Sequence, residues 1–241
     1  MRKFILLLCT LPLLAAGVKA GPFSDFKDNV QAAYLKPFAA DLGGLIGGND
    51  FNSGRSIGFP GFEAGLAGVV QAKPAIEDRI LRDAGVGAFG AAVLHAGAAL
   101  PLIGTDVMLR GTGYSGFSII GGGLRYSVLK SGTLTKFIPD VSVSAFYDVI
   151  NYDYFKGSHM SLNAAASFDL PVIKPYAGVG IDRTRVEVKN VPGFNGMSGT
   201  IAKPRYTLGL RFSPMPLLYV YGAYNMLHGQ AAYSMGAGAK F

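Results

Sequence analysis

The sequence predicts an all-β protein: a closed antiparallel transmembrane β-barrel of about ten strands, with eight and twelve as the neighbouring even counts, and a short N-terminal amphipathic helix. Three observations predict it. The 241-residue chain is 50% hydrophobic but only 15% charged, against about 25% charged in ordinary soluble domains. From about residue 58 to the end, apolar side chains alternate with small or polar ones, as in strands whose successive side chains point to opposite faces. The non-apolar face holds glycines, serines and single charges of both signs, too sparse to solvate a large exterior. The apolar face is therefore expected to meet lipid. In lipid every backbone group needs an internal partner, so the sheet must close on itself.

The first twenty residues, MRKFILLLCTLPLLAAGVKA, have a basic start, an apolar run and a V-K-A ending, the layout of a secretory signal peptide cut after Ala20. The apolar run is shorter than the roughly 20 residues a spanning helix needs. Cys9, the single cysteine, lies inside this run, so the exported chain is expected to carry no disulfide. Without Arg2, Lys3 and Lys19 the balance is 19 basic against 15 acidic residues. A surplus this mild, with no basic block, implies no nucleic-acid partner.

The strand runs follow in order. FEAGLAGVV sets Phe62, Ala64, Leu66 and Val70 against Glu63, Gly65 and Ala67. AGVGAFGAAVLHAGAALPLIGT carries no formal charge, but glycines, Pro101 and His95 make it a poor membrane helix, and at period two Ala92, Leu94, Ala96 and Ala98 share a face. Val107 and Leu109 oppose Asp106, Met108 and Arg110, and Leu124, Tyr126 and Val128 oppose Gly123, Arg125 and Ser127. Val141, Val143, Tyr147 and Val149 oppose Ser142, Ser144, Phe146 and Asp148, and Met160, Leu162, Phe168 and Leu170 oppose Ser161, Asn163, Ser167 and Asp169. YAGVGIDRT, YTLGLRF, LLYVYGAYN and the final segment complete about ten runs, a bulge being expected in the seventh and ninth. LPLIGTD, SGTLTKFIPD, DLPVIKP and SPMP read as compact turns, and QAKPAIEDRILRDAG and KNVPGFNGMSGTIAKP as longer loops at the opposite end. Tyr114, Tyr126, Tyr152, Tyr154, Tyr219 and Tyr221 fall near strand ends, where an aromatic girdle is expected.

The chain ends AAYSMGAGAKF, with Tyr233, Met235, Ala237, Ala239 and Phe241 on one face. This tail resembles the closing strand of bacterial outer-membrane β-barrel proteins, and NDFNSGRSIGFPGFEAGLAG resembles the approach to the first strand in uncharacterised barrel families of that kind. The resemblance implies a bacterial outer-membrane location. It also implies contact with outer-membrane lipid and lipopolysaccharide, and recognition of the terminal strand by the barrel-assembly machinery. Domain limits follow: a signal peptide at 1–20, a periplasmic helix and linker at 21–57, and the barrel at 58–241.

Within 21–57, Phe26, Val30 and Tyr34 stand at helical spacing behind Ser24 or Asp25 as a cap, and Pro37 and GGLIGGND are expected to break the helix. Such a helix can rest at the periplasmic rim or enter the barrel as a plug, as the N-terminal hatch of fatty-acid transporters does, although no motif of that family is present.

The lumen-lining candidates are Glu63, His95, Asp106, Arg110, Arg125, Asp148, Asp169, Asp182 and Arg211, with Lys240 on the same face. Their mixed signs predict pairing across a narrow interior, because unpaired buried charge is costly. A wide sieving pore is not expected, and the inward glycines suggest room for a slim, small apolar ligand, a lateral exit for an apolar molecule, or the N-terminal segment. The functional expectation is a structural or binding barrel, or a narrow channel for small molecules. Two alternatives stay open: a hydrolase at the outer lip built from Asp148, Asp153, His159, Tyr224 and His228, and a secreted soluble β-sandwich. No nucleophile signature, paired-histidine spacing or phosphate loop is present, so no catalytic residue, metal ligand or cofactor is assigned.

Overall fold

The computed structural model describes residues 23–102, 104–132 and 138–241. The signal-peptide segment and the centre of SGTLTKFIPD lie outside them. Ten antiparallel strands close into one barrel in which each pairs with its sequence neighbours and the last with the first. They are β1 (Phe62–Gln71), β2 (Phe89–Ala99), β3 (Thr105–Tyr114), β4 (Phe117–Leu129), β5 (Asp140–Asn151), β6 (Phe155–Ser167), β7 (Ile173–Val188), β8 (Ser198–Phe212), β9 (Leu218–Leu227) and β10 (Gln230–Lys240). The closing seam pairs Glu63 with Lys240 and Val70 with Tyr233, and the backbones of Phe62 and Phe241 bond to each other beyond it. The terminal aromatic thus fastens the seam, with its ring 4.8 Å from that of Phe62.

The outward face is the apolar one. Leu94, Leu109, Ile120, Leu162, Ile181 and Leu208 are each more than 60% exposed, an arrangement that water would not tolerate and lipid favours. Among the described residues no helix is long and apolar enough to cross a membrane.

The compact turns gather at the end that holds Phe62 and Phe241, the terminal end. The loop end carries the connections at 72–88 and 189–197, but also two-residue turns at 115–116 and 228–229. Both residues of each tight turn have positive φ, the mirror-image turn that suits strand twist. The expected loop KNVPGFNGMSGTIAKP is shorter than predicted: residues 198–204 extend β8, with Pro204 in the ladder opposite Ile181. The bulge falls in β4, between Ser127 and Leu129, rather than in the seventh or ninth run.

Residues 23–57 run through the lumen from the loop end to the terminal end. The helix begins later than its spacing predicted. Only Phe26–Asn29 (α1) and a 3₁₀ turn at Ala32–Tyr34 precede a 13-residue helix, Leu35–Gly47 (α2), which contains both Pro37 and the glycine pair. Pro37 sits in the first turn, where its missing N–H costs nothing. The glycines persist because the wall leaves no space for a side chain. A Cβ at Gly47 would lie 2.6 Å from the Asp182 carboxylate, and one at Gly44 3.0 Å from Leu227 Cβ. All α2 residues except Lys36 and Pro37 are buried. A third helix, Arg79–Asp83 (α3), lies in the β1–β2 loop and is capped by Asp78, which accepts from Leu81 N–H at 3.2 Å.

Candidate functional site

Three layers fill the lumen. At the loop end the plug is apolar: Phe23, Phe26 and Phe38 stack into Phe117, Tyr152 and Phe155 with ring centroids 4.9–5.8 Å apart. The alternation of β4 and β6 aims Phe117 and Phe155 inward, and Tyr152 follows from the β5–β6 turn. Tyr152 was expected in an outer girdle, as were Tyr219 and Tyr221; all three face the interior instead. The reason is register. β9 and β10 place Tyr219 and Tyr221 beside Gly238 and Gly236, whose missing side chains admit the rings. The inward glycines are therefore occupied, by Tyr219, Tyr221, Tyr176 and Phe146 of the wall and by Phe51 of the N-terminal segment.

The middle layer is ionic. Asp50, just past α2, accepts from Arg110 at 2.5 Å, from Arg205 at 2.8 Å and from Ser161 at 2.6 Å. Arg110 also grips Asp148 through two bonds of 2.7 Å, and Arg205 reaches Asp182 at 3.0 Å and Asn163 at 2.6 Å. These side chains come from β3, β5, β6, β7 and β8, so one plug carboxylate ties half of the wall together. Each member is at most 6% exposed, which strengthens every pairing and makes any unpaired charge expensive. Around the layer a void of about 20 Å³ remains, room for about one water.

Below it, Arg211 donates to Asn52 at 2.9 Å and stacks on Tyr219, which donates to Glu63 at 2.7 Å and lies 3.2 Å from His95. Arg125 donates to Asp106 at 2.8 Å, and that carboxylate also receives the Ile57 N–H. Lys240 donates to the Ser56 carbonyl at 3.0 Å. A cavity of about 600 Å³ opens here at the terminal end, lined in part by Arg55, Lys130, Asp169 and Lys174.

Of the predicted lumen residues, Glu63, His95, Asp106, Arg110, Arg125, Asp148, Asp182 and Arg211 all face inward. Asp169 differs. It lies past the end of β6 at the mouth of the cavity, where it pairs with Arg55 and Lys174. The predicted lip cluster is not assembled. His159 and His228 are buried beside Asp182, Asp148 is taken by Arg110, and Tyr224 points outward. Tyr233, Met235, Ala237, Ala239 and Phe241 share the lipid-facing side of β10.

Sequence reasoning missed Asp50 and Arg205. Arg205 falls between the expected loop, which ends at Pro204, and the run that begins at Tyr206. The available signal for Asp50 was a lone acid closing an otherwise apolar, glycine-rich stretch.

Asp50, His159 and Asp182 offer ligand atoms within 4.8 Å of one another. Both carboxylates are already spent on Arg205, whose guanidinium would face any divalent ion placed there. The donor set does not fit a metal. Near the loop end a second acidic pair joins plug and loop. Asp41 accepts from Gln71 at 2.9 Å and from the Ala75 N–H at 2.8 Å. Asp78 Oδ2 is buried with no donor from the protein, beside the Asp41 carboxylate. Burial, then the Asp41 charge, pushes the Asp78 carboxyl up to about 8, so a proton shared between the two satisfies both.

No protein-family model matches the chain, and no curated protein matches it in sequence. Solved structures do. An outer membrane channel from Pseudomonas putida F1 aligns over 79% of this chain and 100% of its own, at 7% identity and a TM-score of 0.53. The N-terminal β-barrel domain of Pseudomonas aeruginosa OprF covers 75% of this chain and 97% of its own (15% identity, TM-score 0.37). Ail of Yersinia pestis covers 75% and 97% (14% identity, TM-score 0.34). The chain has the fold of bacterial outer-membrane β-barrels.

Proposed function

We propose that the protein is a gated outer-membrane channel for small solutes that rests shut, with α2 and residues 48–57 as its gate. One observation carries this reading: a plug carboxylate, Asp50, sits between two wall arginines, and the void left around that layer is about 20 Å³. A plug meant only to fill space would do better with apolar side chains, since buried ion pairs contribute little net stability over a hydrophobic filling. Ionic contacts are instead the kind that a change of charge can release. A displaced plug would bare Arg110, Arg125, Arg205 and Arg211 beside Glu63, Asp106, Asp148 and Asp182. A wall of mixed charge suits small polar solutes better than the apolar ones first expected.

In this reading the terminal end faces the periplasm, the outward belt meets lipid and lipopolysaccharide, and the β10 face ending in Phe241 is the strand that the assembly machinery engages. His159 and His228 hold structure rather than serve catalysis. The test is a lock. Gly44→Cys with Leu227→Cys, in a Cys9→Ser background, places two Cβ atoms about 3.0 Å apart, and a slight shift brings them to the 3.5–4.5 Å of a disulfide. Planar-bilayer recordings should show silence when this pair is oxidised and stepwise conductance after reduction. Equal conductance in both states would exclude the gate.

A further inference from the structure

We infer that the gate is latched by a proton on His228, which bridges plug and wall only as an imidazolium; this rests on the plug being the gate. His228 occupies the first position of the β9–β10 turn with φ +52°, a conformation that histidine tolerates better than most residues. The turn points the ring into the lumen. Nδ1 lies 2.7 Å from the carbonyl oxygen of Ala40 in α2, and Nε2 lies 3.0 Å from Oδ2 of Asp182 in β7. A carbonyl can only accept, and the Asp182 carboxylate, bonded by Arg205 as well, accepts too. A neutral ring owns one N–H and can serve one of the two. The charged ring serves both.

The charge balance of the layer agrees. Asp50, Asp148 and Asp182 are three carboxylates facing two guanidinium groups, those of Arg110 and Arg205. One further positive charge closes the cluster at zero, and His228 supplies it where plug meets wall. Among the groups packed around the ring, His159 of β6 lies near the other oxygen of Asp182, at 4.0 Å, and its Nε2 has no partner, so it cannot hold the plug. Asp41 of α2 adds a negative charge on the plug side, in contact with Asp78 of the β1–β2 loop.

Loss of the His228 proton removes a bond to the plug and leaves the layer with one uncompensated negative charge. The shut state therefore binds one proton more than the open state, and opening rises with pH by up to about tenfold per unit. The Asp41–Asp78 pair also releases a proton toward alkaline pH, so the profile is recorded in an Asp78→Asn background. Bilayer recordings from pH 5 to pH 9 should show conductance rising with pH. His228→Asn, which keeps the left-handed turn but has donors at only one end, should conduct at pH 5 and show a flat profile. An unchanged profile in His228→Asn overturns the latch while leaving the gate intact. Conductance through the oxidised Gly44→Cys/Leu227→Cys protein would instead strike at the gate itself. Should His228→Asn fail to fold, ring ¹⁵N shifts of the unsubstituted histidine decide: both nitrogens protonated while the channel is shut support the latch, and a neutral ring in the shut channel refutes it.

Discussion

Replacing Asp50 by Asn tests the ionic layer most severely. The carboxylate accepts from Arg110, Arg205 and Ser161 at 2.5–2.8 Å, and an amide keeps its shape but loses its charge and turns a donor toward one of those donors. Breaking a buried ion pair from one side costs about 3–5 kcal/mol. Here each arginine retains a second carboxylate, Asp148 or Asp182, which places the loss near the lower limit, about 3 kcal/mol. At 1.4 kcal/mol per decade, the population with its plug displaced should rise roughly 100-fold. Single-channel open probability measures this directly, and maleimide labelling of a cysteine at Asn49 in a Cys9→Ser background measures it independently. If Asp50→Asn left both within twofold of the parent, the claim that Asp50 seats the plug would be wrong.

Three further outcomes follow. Gly238→Ala puts a Cβ 2.7 Å from the Ala64 carbonyl and against the Tyr219 hydroxyl, and should cost about 1–3 kcal/mol in urea unfolding from lipid vesicles. Asp78→Asn should flatten the pH dependence of stability. With the carboxyl raised to about 8, the folded protein binds more protons than the unfolded chain between roughly pH 4 and pH 8, so the parent loses stability across that window as pH rises, and the variant, left with only the buried Asp41, loses less. Removing Phe241 takes away a ring stacked on Phe62 and two backbone bonds at the seam, and should slow assembly into liposomes catalysed by the barrel-assembly machinery more than it lowers the stability of barrels already formed.

The strands and their faces were legible because period two is local. Val143, Tyr147 and Val149 against Ser144 and Asp148 reads the same in the chain as in the barrel. What a charge meets is not local. Arg110 and Asp148 could be assigned to one interior, but their bidentate contact depends on Gly121 leaving space between β3 and β5. Tyrosine is ambiguous for a physical reason: its ring suits a membrane interface and a crowded lumen equally, and only the neighbouring strand's glycine decides. The plug was obscured for a related reason. Gly43, Gly44 and Gly47 look like helix breakers until Thr184, Leu227 and Asp182 are brought against them. His159 and His228, expected at a lip, lie inside near Asp182: period two puts His159 on the inward face of β6 with Ser161 and Asn163, and the β9–β10 turn carries the His228 ring inward.

The chain contains no tryptophan, so an introduced one reports without background. Leu208→Trp on the outer wall and Phe51→Trp on the plug, each in vesicles of brominated lipid, test the central claim that lipid meets the wall while the plug fills the lumen. Strong quenching at position 208 with none at 51 is the predicted result. Equal quenching at both positions, or the reverse order, would contradict it.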